Sequence, residues 1–375
     1  RGQGEGPFAA LIDAWRAGRT SAGIPGVSWR EADRMSVNAD AAPVAPDDLP
    51  DLPYHRIDME PYLRATYLGR RTAAHHSSFG CPFACSFCAV VAMSNRRWLA
   101  QSPGRVARVA EHLVRHFGVD SLQMFDMDFF VSETRAREIA ERLVPLNLGW
   151  WALGRVDTLL TYEDRTWRRL TQSGLRMVFS GAESGSSEAL SDMNKGGQAD
   201  AGQALELARR VREYGIVPEF SFVLGAPPDP HRDLEVTFEY IRAIKRVNPA
   251  TEIILYAYTP VPSRSAMSAQ ADASGFAYPE TLEAWASPEW QRVSLRRGVG
   301  LPWMDAGLRR RIRNFERVLN AYYPTVTDAR LTGLRRAVLR AASGWRYRLG
   351  VYGAPVELRA LHRVMAYQRP ETTGF

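Results

Sequence analysis

Three cysteines, Cys81, Cys85 and Cys88, lie within eight residues and are the only cysteines among the 375 residues of the sequence. Cysteine thiolates are the usual protein ligands of iron–sulfur clusters and common ligands of zinc. With three residues between the first pair and two between the second, one loop can wrap three corners of a cubane [4Fe–4S] cluster. No further cysteine exists for the fourth iron. The spacing therefore predicts a cluster with one iron open to a substrate or cofactor, to which the cluster can deliver one electron.

A structural zinc site completed by His75 or His76, just before the cysteines, is the alternative. Structural zinc sites close with four ligands and favour paired C-x2-C units, so the spacing favours the cluster. A disulfide framework would use an even and dispersed set of cysteines. Three clustered thiols instead predict a metal role in a reducing compartment, the cytoplasm.

Between residues 62 and 262, short β-rich runs alternate with amphipathic stretches. Strands are predicted at Ala73–Phe79, Ser121–Phe125, Trp150–Leu153, Arg176–Ser180, Pro218–Leu224 and Glu252–Tyr258. Helices are predicted at Pro103–His116, Glu133–Val144, Asp164–Ser173, Ala201–Tyr214 and His231–Val247. The alternation predicts parallel βα units and an α/β fold, a partial (β/α)6 TIM-like barrel. Chemistry in such barrels gathers at the carboxyl ends of the strands, and the cysteines directly follow the first of them.

The two flanks differ from this core in composition. The first is predicted to contain a short helix at Phe8–Trp15 and a linker at Ala42–Pro53, where proline and aspartate oppose regular structure. The last 75 residues hold 14 arginines against 5 acidic residues, so they supply the net charge of +7. The predicted division is an N-terminal flank and linker at 1–60, a catalytic core at 61–285 and a basic helical extension at 286–375.

The cysteine loop resembles the signature of the radical S-adenosylmethionine (SAM) superfamily, C-x3-C-x2-C with an aromatic residue before the last cysteine. Phe87 occupies that aromatic position. The resemblance covers roughly Tyr62–Pro262. It implies that SAM chelates the open iron through its amino and carboxylate groups. Electron transfer from a donor such as flavodoxin or ferredoxin then splits SAM to a 5′-deoxyadenosyl radical.

Residues after the second and third predicted strands match the places where this family contacts SAM. The resemblance implies that the acidic turn holding Asp126 and Asp128 approaches the amino group of SAM, which needs hydrogen-bond acceptors. It implies that Arg155 lies near the SAM carboxylate, a task suited to a guanidinium. Two structural alternatives stay open. Asp128 can cap the helix predicted from Glu133, and Arg155 can pair with Asp157.

Residues after the fourth and fifth strands extend the resemblance. The turn Gly181–Ser186 is similar to the family's turn facing the ribose and methionyl group of SAM, which implies that Glu183 and Ser184 contact the cofactor. The turn after the fifth strand resembles the family's G-x-P loop, which places Gly225 and Pro227 beside the adenine. Because turns with glycine and proline are common, the assignment of this turn rests on its position after the fifth predicted strand.

Parts of both flanks are similar to cobalamin-dependent radical SAM enzymes. The similar segments are Arg1–Gly6, Ile24–Val27 and Trp345–Pro355. The likeness predicts that the chain is a fragment whose upstream cobalamin-binding domain is absent. It implies methylation or remodelling of an unactivated carbon in a small-molecule, lipid or pigment substrate. Methylthiolation of tRNA and sulfur insertion need an auxiliary cluster, and the missing cysteines argue against both.

A non-enzymatic module is the rival from another class. In it, zinc or a cluster stabilises a scaffold whose basic tail binds RNA or a membrane surface. The charge of the tail and the aromatic residues Trp345, Tyr347 and Tyr352 suit weak peripheral contact with a membrane. They give no firm evidence for nucleic acid, and the specificity of the cysteine spacing favours the enzyme.

Overall fold

The computed structural model describes residues 2–195, 200–263, 265–294, 297–328 and 331–367. Its strands are β1 Ser28–Glu31, β2 Arg34–Val37, β3 Thr72–His75, β4 Ser78–Gly80, β5 Trp98–Ala100, β6 Ser121–Met124, β7 Gly149–Leu153, β8 Leu175–Glu183, β9 Val217–Leu224 and β10 Glu252–Ala257. Its α-helices are α1 Glu5–Arg16, α2 Ala89–Ser94, α3 Pro103–Phe117, α4 Glu133–Leu143, α5 Val156–Leu160, α6 Asp164–Gln172, α7 Ser187–Asp192, α8 Gly202–Glu213, α9 Leu234–Val247, α10 Ala266–Ala273, α11 Leu282–Trp285, α12 Pro288–Ser294, α13 Ala306–Tyr322, α14 Gly333–Leu349 and α15 Val356–Val364.

Six strands form one parallel sheet in the order β10-β9-β8-β7-β6-β3. Within the described ranges the edge strands β3 and β10 pair with no further strand of this sheet, so it does not close. Helices follow the strands along the chain, as parallel crossovers require. The predicted fold class, an α/β partial barrel of six strands, is confirmed.

The first predicted strand, Ala73–Phe79, is wrong in extent. The strand ends at His75, and Ser78–Gly80 forms a separate strand that pairs antiparallel with β5. The break occurs because the side chain of Asp126 hydrogen-bonds to Ser77 and Ser78 and holds them away from the sheet. The β4–β5 hairpin and the β1–β2 hairpin were not predicted, since strands of three or four residues carry little periodicity.

The helices around the sheet begin and end where the sequence indicates. Ser102 and Ser132 accept hydrogen bonds from the third residue beyond them and so cap α3 and α4. Gly118 ends α3 with a φ of +62°, a conformation that glycine adopts without strain. The buried faces of these helices carry Val106, Leu113, Ile139 and Leu143, which belong to one continuous core with the sheet.

The C-terminal helices pack on the core rather than standing apart from it. Phe315 of α13 stacks on Phe238 of α9 with ring centroids 3.7 Å apart. Tyr347 of α14 stacks on Tyr322 of α13 at 4.4 Å. The aromatic side chain of Tyr347, expected to suit an exposed surface, is therefore buried in this packing. Among the described residues, no helix combines the length and the apolar character that crossing a membrane requires.

The segment predicted as a linker contacts the barrel at the start of α3. The buried guanidinium of Arg105 donates hydrogen bonds to the backbone carbonyls of Asp47, Leu49 and Pro50 at 2.6–3.2 Å. In return, the Asp47 carboxylate accepts from the backbone amide of Ser102 at 3.0 Å. The second half of the linker is therefore held against α3.

Replacing Arg105 with Met should detach this segment. The substitution removes the donors and leaves carbonyls without partners, so we expect the free energy of unfolding to fall by about 2 kcal/mol. Amide hydrogen exchange between residues 46 and 53 should rise. Arg115→Met, at an exposed arginine of the same helix that pairs with Glu111, is the matched control and should leave exchange in this segment unchanged. Unchanged exchange in the Arg105 variant would show that other contacts hold the segment.

Candidate active site

The cysteine loop lies between β4 and β5 and is hydrogen-bonded to the segment after α7. The backbone amide of Ser86 donates to the carbonyl of Met193 at 2.9 Å. The side-chain amide of Asn194 donates to the carbonyl of Ala84, also at 2.9 Å. The loop therefore contacts the chain that follows the fourth strand of the sheet, β8. This contact brings the cysteines next to the residues at the carboxyl ends of the strands.

The three thiols are free, and one of them contacts a buried cation. Arg155, which follows β7, donates from Nη1 to Sγ of Cys85 at 3.3 Å. Its guanidinium also pairs with the carboxylate of Asp157 through two hydrogen bonds of 2.7 and 3.0 Å. The ring of Phe83 lies 3.9 Å from the same group. The structural ion pair considered for Arg155 is thus present, and it also directs positive charge at a thiol.

A second buried ion pair lies beside the loop. The Glu183 carboxylate accepts a hydrogen bond from Nζ of Lys195 at 2.7 Å, and this ammonium lies 5.7 Å from the ring centroid of Phe87. Burial lowers the pKa of Lys195, but the negative charge of Glu183 and the nearby Cys85 produce a net rise, so the lysine stays charged. Glu183 has a φ of +62°, and a Cβ on Gly181 would lie 1.9 Å from its carboxylate.

Lys195 was not predicted as a site residue. One signal was available, because the sequence contains only two lysines and this one lies nine residues after the turn matched to the family, just beyond α7. The residues after it, 196–199, lie outside the described part of the chain. The side chain of Lys195 is nevertheless fixed by Glu183 and faces the cysteine loop.

The two aspartates predicted to approach SAM are in different environments. Asp126 is fully buried, and its carboxylate accepts from the amide and hydroxyl of Ser77 and the hydroxyl of Ser78. Asp128 is equally buried, yet neither of its carboxylate oxygens makes a well-formed hydrogen bond among the described residues, and the backbone amide of Phe130 approaches it only weakly. Ser132 caps the helix from Glu133, so the capping role considered for Asp128 is wrong. Of the two, Asp128 has the free acceptors that a cationic ligand needs.

The remaining predicted contacts lie around the ends of β8 and β9. The Ser184 hydroxyl donates to the Asp233 carboxylate at 2.5 Å and accepts from the amide of Ser186, so it fixes this turn to the start of α9. Gly225 has a φ of +70°, and a Cβ there would lie 2.4 Å from the sulfur of Met304. Pro227 lines a small pocket between the turn after β9 and α10.

The histidines of the zinc alternative do not join the cysteines. His75 is buried and its Nε2 hydrogen-bonds to the Gln101 side chain at 3.0 Å, while His76 is exposed. In the described ranges, no group of three or more Cys, His, Asp or Glu side chains is arranged as a metal site.

The donor chemistry of the loop still fits a cluster. Burial raises the pKa of Cys81 to about 11 and also raises the pKa of Cys88, so both thiols stay protonated without a metal. Arg155 places a positive charge against the sulfur of Cys85. Three free thiols on one loop match the ligand set of a cluster with one open iron, and cluster binding would displace their protons.

A six-stranded parallel partial barrel with three cysteines after its first strand defines the radical SAM class of fold. Residues 76–241 match the sequence model described as Radical SAM superfamily. These residues, a little under half of the chain, match the superfamily that the resemblance predicted, and the match supports an enzyme of that kind. The non-enzymatic alternative is therefore set aside.

Similar proteins extend the comparison. The uncharacterized methyltransferase PH0819 of Pyrococcus horikoshii is 26% identical over 246 residues, which are 65% of this chain and 52% of that protein. The anaerobic magnesium-protoporphyrin IX monomethyl ester cyclase of Cereibacter sphaeroides is 25% identical over 244 residues, or 64% of this chain and 39% of that protein. The solved structure of the cobalamin-dependent radical enzyme OxsB with aqua-cobalamin bound has a TM-score of 0.64 at 15% identity, covering 98% of this chain and 59% of that one. The chain thus spans about half the length of the proteins it matches.

The unpaired Asp128 should make stability depend on pH in metal-free protein. Burial raises its pKa from 3.8 to about 7, although Arg155 and Lys195 oppose the rise. Because the folded state holds this proton more tightly than the unfolded chain, the stabilisation is present below pH 4 and is lost as pH rises to about 7. Asp128→Asn should remove this dependence, which amounts to about 4 kcal/mol between pH 4 and 8. Denaturant unfolding across this range measures it.

Asp13→Asn, at an exposed position of α1, is the control and should follow the wild-type curve. Parallel curves for the Asp128 variant and the wild type would mean that the carboxylate has a partner in solution.

Proposed function

We propose that this chain is the catalytic domain of a radical SAM enzyme in which Cys81, Cys85 and Cys88 hold a [4Fe–4S] cluster. The observation that carries the proposal is the set of three free thiols held at the carboxyl edge of the sheet beside Arg155 and Asp128. When bound, the cluster supplies the electron that splits SAM to a 5′-deoxyadenosyl radical. We also propose that the protein acts in the cytoplasm and that a reductant such as flavodoxin or ferredoxin donates the electron to the cluster.

The protein residues bind and orient SAM in this proposal. Asp128 accepts hydrogen bonds from the SAM ammonium, because its buried oxygens have no other partner among the described residues. Glu183 accepts from the ribose hydroxyls with its free acceptor capacity, while Lys195 holds it in place. Arg155 and Lys195 supply positive charge for the SAM carboxylate.

The other predicted residues shape the site rather than donate to SAM. Phe87 screens the Lys195 ammonium from solvent at the edge of the loop. Ser184 fixes the turn that carries Glu183. Pro227 lines the pocket after β9, and the turn that carries it and Gly225 forms the side of the site that receives the adenine. Water exclusion follows from the burial of Asp128 and Glu183.

The substrate in this proposal is a small molecule, lipid or pigment with an unactivated carbon that is methylated or remodelled. Support comes from the similar proteins, one named a methyltransferase and one a cyclase. Cobalamin, carried by a domain outside these residues, would deliver the methyl group. Support for cobalamin is the shared fold with OxsB, of which this chain covers 59%. Peripheral membrane contact through the basic C-terminus stays a prediction.

Anaerobic reconstitution of the chain tests the cluster. We expect about four irons and four sulfides per chain, with broad visible absorbance. Changing Cys81, Cys85 or Cys88 to Ala should each reduce iron content at least about tenfold, because a cubane with two protein ligands is released. With dithionite, the wild type should convert SAM to 5′-deoxyadenosine and methionine, which chromatography detects.

Met93→Leu, at an exposed position of α2 directly after the loop, leaves all three thiols in place, so it is the control and should retain iron. Stoichiometric zinc with no iron uptake after anaerobic purification would refute the cluster.

Cobalamin is tested by comparing this chain with a longer protein that contains it and the sequence encoded upstream. We expect the longer protein to bind cobalamin and transfer a labelled methyl group from SAM to product, and this chain to do neither. Both should cleave SAM. A longer protein that neither binds cobalamin nor transfers methyl would remove cobalamin from the proposal and leave the radical SAM assignment standing.

A further inference from the structure

All three cysteines are carried by one short ribbon, β4 paired antiparallel with β5. The register runs from Ser78 opposite Ala100 to Gly80 opposite Trp98. The cysteine loop and α2 lie between these two strands, so the backbone geometry of the loop depends on how the open end of the ribbon is held. The chain enters that end at Ser77 and leaves it at Gln101, whose amide donates to the Ser77 carbonyl at 2.9 Å.

The entering strand is held by a carboxylate. Asp126, which follows β6, accepts from the amide of Ser77 at 3.2 Å, from its hydroxyl at 2.8 Å and from the hydroxyl of Ser78. All three residues are almost completely buried. A buried carboxylate that loses its donors is costly, so these bonds resist separation of the ribbon from the sheet.

Both strands of the ribbon are held by a guanidinium. Arg135, in the first turn of α4, donates from Nε to the carbonyl of Gln101 at 2.9 Å. Its Nη2 donates to the carbonyl and to the hydroxyl of Ser77, both at 2.9 Å. The guanidinium also lies 5.5 Å from the ring of Trp98 in β5. One side chain thus contacts the ribbon where it begins and where it ends.

The Ser77 hydroxyl links the two charged groups. It accepts from Arg135 and donates to Asp126, so the opposite charges are joined through a single oxygen. A planar guanidinium can reach both strands at once because its donors form a rigid fork, which an ammonium cannot reproduce. The arrangement gives the buried anion donors from both serines and gives the buried cation acceptors for Nε and Nη2, while Nη1 of Arg135 has no partner among the described residues.

We propose that Arg135, Ser77 and Asp126 form a clamp that positions the cysteine ribbon and thereby sets the geometry in which the three thiols hold a metal cluster. They act through the ribbon and are positioning residues, because the hydrogen bonds described for each are with the ribbon and the residues that support it. For Asp126 this role replaces the direct SAM contact implied by the resemblance. The claim that the clamp sets the geometry of a cluster rests on the proposed function. The claim that the clamp orders the ribbon does not.

Two variants weaken the clamp without leaving a bare buried charge. Ser77→Ala removes the linking hydroxyl and keeps both charges. Arg135→Lys keeps the cation and loses the fork. Arg142→Met is the matched control, since this arginine lies on the same helix but is exposed and bonds only within it among the described contacts. The full chain is studied both metal-free and reconstituted with iron and sulfide.

In metal-free protein we expect amide exchange in β4 and β5 to rise about tenfold in Ser77→Ala and Arg135→Lys, the scale of one lost buried hydrogen bond, with β7 and β8 unchanged. In reconstituted protein, iron should pass to a chelator about tenfold faster. The electron paramagnetic resonance spectrum of the reduced cluster should shift or broaden. Arg142→Met should match the wild type in every measurement.

Unchanged exchange in the ribbon overturns the clamp. A lower melting temperature with an unchanged spectrum and an unchanged rate of iron loss would also overturn the clamp. That result is what a purely structural role predicts. If Ser77→Ala does not fold, Arg135→Lys decides by the same criteria. If the wild type takes up no iron, the proposed function fails, while exchange in the metal-free ribbon still decides whether the clamp orders it.

Discussion

In a parallel sheet every strand ends at the same edge, and this constraint determines where the chemistry of the protein can lie. The order of the sheet places the turns after β6, β7 and β8 side by side. Those turns carry Asp128, Arg155 and Glu183, and the cysteine ribbon folds over the same edge from the neighbouring strand β3. Residues far apart in sequence therefore meet in one site because of the order of the strands alone.

Bringing charges to one buried edge has an electrostatic consequence. A charge removed from water needs an opposite charge or hydrogen bonds, and each group here except one has them within the described residues. Arg155 pairs with Asp157, Lys195 pairs with Glu183, and Asp126 is satisfied by serines. Asp128 is the exception. A buried carboxylate without a hydrogen-bond partner marks a position where a ligand can complete the pairing.

Periodicity and turn chemistry were enough to predict the six strands of the sheet and the main helices, whereas the role of the three cysteines as cluster ligands stays a prediction. The end of β3 was missed because it depends on a contact between Ser77 and Asp126, which are separated by 49 residues. Resemblance pointed to turns that lie together at one edge of the sheet, but it did not identify the partner of each side chain. Whether Asp126 or Asp128 has free oxygens, or Ser184 faces a ligand or Asp233, depends on neighbours that sequence spacing does not specify.

The attachment of the linker to α3 also fixes where the N-terminal flank meets the barrel. Ser102 follows Gln101 at the base of the cysteine ribbon, so Asp47, which accepts from Ser102, lies at the catalytic edge of the sheet. A body joined to the chain ahead of residue 46 is tethered at that rim and does not have to find it by free diffusion. Short tethers of this kind give effective concentrations on the order of millimolar, so a cofactor carried upstream can act on the site while making only weak contacts with it.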